Sequence, residues 1–224
     1  MKITENIYSY PGSERVDFIT SNTYLIKDET VTIVDPGHPE NLGKLVNQLE
    51  EDEINLKSIS LIVNTHGHFD HCGANNALKK ISNAKIAIHQ LEEEYLFSSL
   101  DEMSKIFGKK MQKFKADFYL GDYLKTGNMN FQVIHTPGHT PGGVCLYEKE
   151  RKILLSGDTV FPHGNIGRTD LPGGEINKLI SSIRRLCNLD VRVLCPGHMS
   201  VITEGANTQV KESSRLAESM VESA

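Results

Sequence analysis

Residues 64–73 read NTHGHFDHCG and place three histidines and an aspartate within six consecutive positions. They directly follow residues 59–63, ISLIV, a continuous apolar run that is typical of a strand buried on both faces. Loops at the ends of buried strands are where rigid scaffolds carry their functional groups. We therefore expect the histidine-rich stretch to form part of a site at one edge of a sheet.

The bulk composition is that of a globular protein without a strong charge bias. The chain has 224 residues, of which 38% are hydrophobic and 24% charged, and its net charge is −5. A chain of this length can bury a substantial core, and we expect one domain over residues 1–224. The acidic balance argues against nucleic acid and anionic membranes as partners.

Neither the N-terminal residues nor the cysteines predict an extracellular protein. The N-terminus, MKITENIYSY, has no apolar segment of the secretory type. No apolar run approaches the roughly 20 residues that a membrane span needs. The four cysteines form no C-x-x-C pair, which favours free thiols and a cytoplasmic location over a disulfide framework.

Strand-like runs come in two batches, each followed by helical patterns. This order predicts an α/β protein with two packed sheets. Residues 90–115 are charged and helical in pattern, and we expect them to form an insertion over a sheet edge. The strand-like runs are NTYLIKD, VTIVDPG, ISLIVNT and AKIAIH, then FQVIHTPG, GVCLYEK, KILLSGD and VRVLCPGH. The other helical patterns are PENLGKLVNQLEE, ANNALKKIS, EINKLISSIRRLC and the tail after Thr203.

The spacing inside the opening stretch predicts two metal ions. His66 and His68 are two positions apart, so both point to one side of an extended backbone. Asp70 and His71 are adjacent, so an extended chain would send them to opposite faces. The chain must therefore turn, and a turning loop can offer its first pair of ligands to one ion and its second pair to another.

Two ligands for each ion are too few for a tight site, so others must come from elsewhere. Three candidates stand where strand-like runs end: His139 in TPGHTPGG, Asp158 in LLSGDTVF and His198 in LCPGHMS. Imidazole and carboxylate are the usual zinc ligands, and imidazole also serves iron and manganese. We assign the first metal to His66, His68 and His139, the second to Asp70, His71 and His198, and Asp158 to both.

The charges of such a site favour hydrolysis. Two dications about 3.5–4 Å apart would be bridged by a carboxylate and a hydroxide. Asp70, Asp158 and the hydroxide leave one net positive charge, which stabilises an anionic tetrahedral intermediate. We therefore predict metal-assisted hydrolysis with two divalent ions, zinc favoured and iron or manganese as alternatives. Asp70 is also our candidate catalytic residue, since it could orient the hydroxide.

The four motifs THGHFDHCG, TPGHTPG, SGDTVF and CPGH resemble, in order, those of the metallo-β-lactamase fold superfamily. The resemblance spans roughly residues 20–200. It implies a four-layer αββα sandwich with the metals at one edge, and the same ligands that the spacing indicates. IVDPG at residues 33–37 also resembles a structural turn of that superfamily, which implies that Asp35 lies near the site.

Within the superfamily the pattern is most similar to the short members of the glyoxalase II (hydroxyacylglutathione hydrolase) branch. The segment that carries this similarity is GDTVFPHGNIGRTDLPGG, residues 157–174. The resemblance implies hydrolysis of a small thioester or ester and a substrate contact at Arg168. The family's tyrosine two residues later is Asp170 here. Only 26 residues follow His198, too few for the helical domain that completes the glutathione site in longer members.

Arg168 and Asp170 could instead pair with each other, so both interpretations of Arg168 stay open. For the remaining histidines we expect structural roles, with His135 in the core or beside the ligands. Cys72 stands next to a ligand, and we expect it to be a small buried side chain. The remaining histidines are His38, His89, His135 and His163.

A second function from another class is compatible with the same ligands. Persulfide dioxygenases resemble the glyoxalase II branch and share the GRTD segment, residues 167–170. That resemblance implies a single iron held by His66, His139 and Asp158, with positions open for oxygen. The sequence contains no G-x-S-x-G motif, which is the signature of many serine hydrolases. The sequence leaves self-association into a homo-oligomer open.

Overall fold

The computed structural model describes residues 1–14, 19–106 and 113–222. Within these ranges strands and helices alternate as the two batches of patterns predict. The strands are β1 (Ile7–Tyr10), β2 (Ser13–Glu14), β3 (Ile19–Thr20), β4 (Thr23–Ile26), β5 (Val31–Val34), β6 (Ile59–Val63), β7 (Lys85–Ile88), β8 (Phe118–Tyr119), β9 (Tyr123–Lys125), β10 (Asn130–His135), β11 (Val144–Glu148), β12 (Ile153–Gly157) and β13 (Val193–Pro196). The helices are α1 (Leu42–Glu51), α2 (Phe69–Cys72), α3 (Asn75–Ser82), α4 (Gln90–Ile106), α5 (Ile176–Leu186) and α6 (Ala206–Glu222).

The strands form two larger sheets and one small hairpin. The first sheet has the order β1-β4-β5-β6-β7-β8, the second β13-β12-β11-β10-β9, and β2 pairs with β3 alone. In the first sheet β6 runs parallel to both of its neighbours, as the continuous apolar run ISLIV predicts. In the second sheet β12 and β13 form a parallel pair.

Alternating side chains of each sheet divide the core into three layers of contact. In β6, Leu61 and Val63 face the second sheet, while Ile62 faces the helices on the outer side. In the second sheet Leu155 points towards the first sheet and Leu154 packs with α5 and α6. The two sheets thus pack face to face with helices outside each, and the predicted four-layer αββα sandwich is confirmed.

The parallel pairs explain why the ligands meet. Carboxyl ends of parallel strands lie at the same edge of a sheet, so the loops after β5 and β6 are neighbours, as are those after β12 and β13. The loop between β10 and β11 reaches the same edge because β11 runs antiparallel to β12.

Hydrogen bonds join the two sheets at this edge. The backbone N–H of Val144 donates to the carbonyl of Thr65 at 2.9 Å. The buried Tyr24 hydroxyl donates to the carbonyl of Pro196 at 2.7 Å, and the Asn22 side chain donates to the same carbonyl at 3.0 Å. These bonds fix the loop before β11 and the loop after β13 relative to the first sheet.

The predicted helix over residues 90–115 is partly wrong. The helix α4 is described from Gln90 to Ile106, residues 107–112 lie outside the described part of the chain, and residues 113–117 are not helical. The first turn of α4 also lies against the loops at the edge where the two sheets are joined. It does not lie only over the edge of one sheet, as predicted. In the described residues no helix combines the length and the apolar character needed to cross a membrane.

Candidate metal centre

The structure brings all seven predicted ligands together at the shared edge of the sheets. Their nitrogen and oxygen atoms form three groups, each with its atoms within 4.8 Å of one another. Two groups are the predicted three-ligand sets, and the third joins a member of each set to Asp158. That they bind metal stays a prediction. The groups are His66, His68 and His139; His66, His71 and Asp158; and Asp70, His71 and His198.

Asp158 lies between the two sets. One carboxylate oxygen, Oδ1, is 3.2 Å from Nε2 of His71, and the other, Oδ2, is 3.5 Å from Nε2 of both His139 and His198. Although burial alone would raise it, the pKa of Asp158 is held well below its ordinary value by His71 and His198. The carboxylate is therefore ionised, and its two oxygens lie near histidines of both sets, so it could serve two metal ions.

Three of the five imidazoles fit a metal ion because their Nε2 atoms make no hydrogen bond. The Nε2 atoms of His66, His68 and His139 are buried and make no hydrogen bond. Such orphaned buried groups are costly unless something binds them. The Nδ1 atom of His139 lies 2.7 Å from the carbonyl oxygen of Arg168, which can only accept. Nδ1 therefore carries the proton, and the Nε2 lone pair is available for a metal.

Asp35 orients two of the imidazoles without belonging to a ligand group. Its Oδ2 is 2.9 Å from Nδ1 of His71 and accepts from the Thr65 hydroxyl at 2.6 Å. The same hydroxyl lies 3.2 Å from Nδ1 of His66. Hydrogen bonds to the far ring nitrogen fix the tautomer of a metal ligand and increase its basicity. The expectation that Asp35 lies near the site is met, and its partners give it a role.

The electrostatic environment divides the centre into two halves. Burial lowers the pKa of His66 and His139 and lowers that of His68 to about 3, so these imidazoles are neutral. For His71 and His198 burial acts in the same direction, but neighbouring carboxylates, Asp158 first among them, raise the pKa above its ordinary value. One half therefore consists of neutral imidazoles. In the other half, imidazoles that favour the protonated form lie beside negatively charged carboxylates.

Gly197 allows the last motif, CPGH, to approach the centre. A Cβ atom at this position would lie 2.1 Å from Oδ1 of Asp158 and 2.7 Å from Cε1 of His71. No side chain fits in that space, so only glycine lets the backbone before His198 pass this close to two ligands.

Glu92, in the first turn of α4, is a residue that the sequence patterns do not identify. Its side chain is completely buried, and its two carboxylate oxygens accept from the backbone N–H of Gly67 at 2.8 Å and of Gly142 at 2.7 Å. Burial raises the pKa of Glu92 to about 7, although these N–H groups and the Thr140 hydroxyl oppose the shift. Its neighbours in sequence are charged, so no pattern distinguishes it from the surface of a helix.

Arg168 forms an exposed ion pair with Asp170. Its Nε donates to Oδ1 at 2.7 Å and its Nη2 to Oδ2 at 2.6 Å, a bidentate arrangement. The same residue holds His139 through its backbone carbonyl. Pairing, one of the two interpretations left open, is thus observed, and the substrate contact stays a prediction because Nη1 is not engaged by Asp170.

The other histidines and Cys72 lie outside the three groups. His135 Nε2 is 2.9 Å from the carbonyl of Pro141, and its ring stacks on His89 with centroids 4.4 Å apart. Cys72 is buried and donates to the carbonyl of Gly67 at 3.3 Å, and burial raises its pKa well above the ordinary value. The four cysteines are free thiols.

Comparison with known proteins assigns this architecture to a family. The model of the metallo-beta-lactamase superfamily matches residues 16–198. The chain therefore belongs to the metallo-beta-lactamase superfamily. The hydroxyacylglutathione hydrolase GloC of Haemophilus influenzae is 39% identical over 192 residues, which cover 82% of this chain and 88% of that protein.

Two solved structures resemble the whole sandwich. The BLEG-1 B3 metallo-beta-lactamase has a TM-score of 0.76 at 30% identity and covers 93% of this chain and 96% of its own. TTHA1623, solved in a di-iron-bound form, has a TM-score of 0.73 at 29% identity and covers 90% and 98%. Together with the grouped histidines and aspartates, these similarities support a metal-dependent hydrolase with a dinuclear site for divalent ions.

Proposed function

We propose that this protein hydrolyses thioesters, with a small hydroxyacyl thioester as the substrate. The observation that carries the proposal is the convergence of two three-ligand groups on Asp158 at one open sheet edge. The similarity to GloC, whose name states hydroxyacylglutathione hydrolysis, supports the choice of thioester. The electrophile would be the thioester carbonyl, and the products a carboxylic acid and a thiol.

The side chains of the centre prepare it for this reaction. Two divalent ions would supply an ionised water as nucleophile and polarise the carbonyl oxygen. Asp70, whose pKa is lowered to about 2 by His71 and His198 against the effect of burial, is ionised and lies 3.0 Å from Nε2 of His198. In this proposal its carboxylate accepts a hydrogen bond from the attacking water and aims it at the carbonyl.

Zinc is the metal that we propose, with iron or manganese as alternatives. Five imidazoles and two carboxylates suit all three, so the donor set does not select one. The similar fold of TTHA1623 in its di-iron-bound form supports two metals rather than one.

The decisive experiment combines metal analysis with two assays on the purified protein. We expect about two metal ions per chain. We also expect hydrolysis of S-lactoylglutathione, which is measured as the release of the free thiol. The control assay is oxygen uptake with glutathione persulfide, for which we expect no activity above background. About one iron per chain, persulfide-dependent oxygen uptake and no thioesterase activity would instead establish the dioxygenase and exclude the hydrolase.

Arg168 is the proposed contact for an anionic group of the thiol part. Arg168→Ala should raise KM for S-lactoylglutathione about tenfold, and kcat should change much less, because the contact is uniform in ground and transition states. Asp170→Ala, which releases the guanidinium from its pair, is the matched variant and should lower KM or leave it unchanged. Equal KM values in all three proteins would remove Arg168 from the substrate site.

A further inference from the structure

Glu92 connects the two loops that carry the three-histidine half of the centre. Gly67 lies between His66 and His68, after β6 in the first sheet. Gly142 follows His139 by three residues, in the loop between β10 and β11 of the second sheet. Each of these glycines donates its backbone N–H to a different oxygen of the same carboxylate.

The contact between α4 and both loops is close as well as hydrogen-bonded. A Cβ atom on Gly142 would lie 2.3 Å from the backbone nitrogen of Glu92, and one on Gly67 would lie 2.7 Å from Cγ of Leu96. The helix thus rests on the backbone of both loops, and the fully buried carboxylate of Glu92 is at the point where they come together.

We propose that Glu92 is a positioning residue that holds His66, His68 and His139 in metal-binding geometry by clamping their loops through the backbone. It touches neither a ligand side chain nor, in this arrangement, the substrate. The clamp needs two acceptors, which only a carboxylate provides at this length. A glutamine would direct its NH₂ group at one of the two N–H donors and lose that bond. The inference rests on the metal centre of the proposed function, not on the choice of substrate.

The next residue, Glu93, provides a matched control. It is also buried, and its oxygens accept from the backbone N–H of Ala116 and from the Tyr119 hydroxyl, both at 2.6 Å. Glu93 therefore clamps a different segment with the same chemistry, on the same helix. A purely structural effect of losing a buried carboxylate should appear equally in Glu93→Gln.

The test measures the dissociation constant of each metal equivalent by competition with a chromophoric chelator, using zinc and the 224-residue chain. Glu92→Gln should raise the dissociation constant of one zinc equivalent about 10–100-fold and change that of the other by no more than about threefold. Glu93→Gln should leave both as in the wild type. With cobalt in place of zinc, the visible absorption of the weakened equivalent should change in Glu92→Gln alone. Equal effects of both substitutions, or two unchanged equivalents in Glu92→Gln, would overturn the clamp.

A second measurement applies if Glu92→Gln does not fold. In the wild-type protein the amide protons of Gly67 and Gly142 should exchange slowly with solvent, with and without metal, because both are bonded to a buried carboxylate. Fast exchange of either proton in the metal-free protein would overturn the proposal. Failure of the wild-type chain to bind metal would instead count against the proposed function.

Discussion

Asp35 shows how one carboxylate outside the ligand set can control two imidazoles. It bonds His71 directly and reaches His66 through the Thr65 hydroxyl, while the Thr65 N–H donates to its Oδ1 at 2.8 Å. Its backbone has a φ of 52°, in the left-handed region that aspartate and asparagine tolerate better than most residues. Both the side chain and the backbone therefore restrict what can replace it.

Asp35→Asn should weaken metal binding while preserving the backbone. Asparagine accepts the left-handed conformation but removes the negative charge that orients His71. We expect the affinity for at least one metal equivalent to fall about 10–100-fold, as for other losses of a partner behind a metal-binding histidine. Zinc competition measures it. The control is Asp52→Asn, which removes a carboxylate that accepts from the Tyr10 hydroxyl at 2.8 Å, away from the metal centre. Unchanged affinity in Asp35→Asn would contradict the role of Asp35.

Gly197→Ala should disturb the centre itself. The added Cβ would meet Asp158 and His71, so the backbone or the ligands must shift. Overpacking of this kind costs about 1–3 kcal/mol of unfolding free energy, and we expect zinc content after purification to fall at both positions. The control is Gly43→Ala in α1, where a Cβ meets nothing within 4 Å and should stabilise the helix slightly. Full zinc occupancy in Gly197→Ala would be the contrary result.

The sequence predicts the side chains that could bind metal, but it does not predict those that hold the ligands in place. The seven candidate ligands are recognisable because histidine and aspartate cluster after strand-like runs. Glu92 is not, because its partners are backbone N–H groups that no residue type reveals. Asp35 came from resemblance alone, and its hydrogen bonds needed the fold.

Among the elements, α6 supports the loop that leads to Arg168. The Ser213 hydroxyl in this helix donates to the carbonyl of Asn165 at 2.8 Å. Gly164, with a φ of +71°, lies against the backbone of Glu212. The C-terminal helix is therefore both an outer layer and a support for the loop after β12.

Ser213→Ala should loosen that loop without emptying the metal centre. It removes one of the two bonds to the carbonyl of Asn165, which still accepts from the backbone N–H of Phe161 at 2.9 Å. Loss of one such hydrogen bond costs about 0.5–1.5 kcal/mol of unfolding free energy. Under the proposed function we expect KM for the thioester to rise more than kcat falls, with zinc content unchanged. Ser181→Ala, which removes an exposed hydroxyl bonded within α5, is the control. A fall in zinc content would show that α6 acts on the ligands instead.

The regular elements were easier to predict than their boundaries. Strands β4 to β7 follow from β-branched runs bounded by turn residues, and their pairing matches a meander that continues into parallel strands. The short strands β2, β3, β8 and β9 were missed because two or three residues carry no periodicity. The helical prediction was wrong for residues 113–115, where lysines continue the charged pattern but the chain is not helical.

For the whole molecule, the two halves of the centre should release different numbers of protons when they bind metal. In the metal-free protein the raised pKa of His71 and of His198 means that these imidazoles keep a proton to higher pH than an ordinary histidine does. The lowered pKa values of His66, His68 and His139 leave them neutral. Metal ligands must be deprotonated, so only the second half has imidazole protons to lose.

Calorimetric titration with zinc at about pH 7, in buffers of different ionisation enthalpy, measures this release. We expect one binding step to release more protons than the other, beyond any proton from an ionising water. Because the relevant pKa values are raised, the excess should be largest at low pH and disappear as pH rises through them. Glu93→Gln should show the same excess, and equal release in both steps at every pH would contradict the assignment.

The layered architecture was predictable because it depends on the order of strands and helices and not on individual contacts. Two batches of strands, each with helices, have few ways to bury their apolar faces. The joining of the sheets at the functional edge was not predictable, because it depends on single bonds such as that from the Tyr24 hydroxyl to Pro196.

The distance along the chain between the ligands has a consequence for biosynthesis. His71 and His198 are 127 residues apart, yet their Nε2 atoms lie 3.3 Å from each other. During translation the N-terminal part of a chain emerges first, at about 5–20 residues per second. A nascent chain that ends before β13 displays the histidine-rich stretch but has no complete second set of ligands. If the proposed function is correct, tight binding of both metal ions can begin only after His198 has been synthesised and β13 has joined the second sheet.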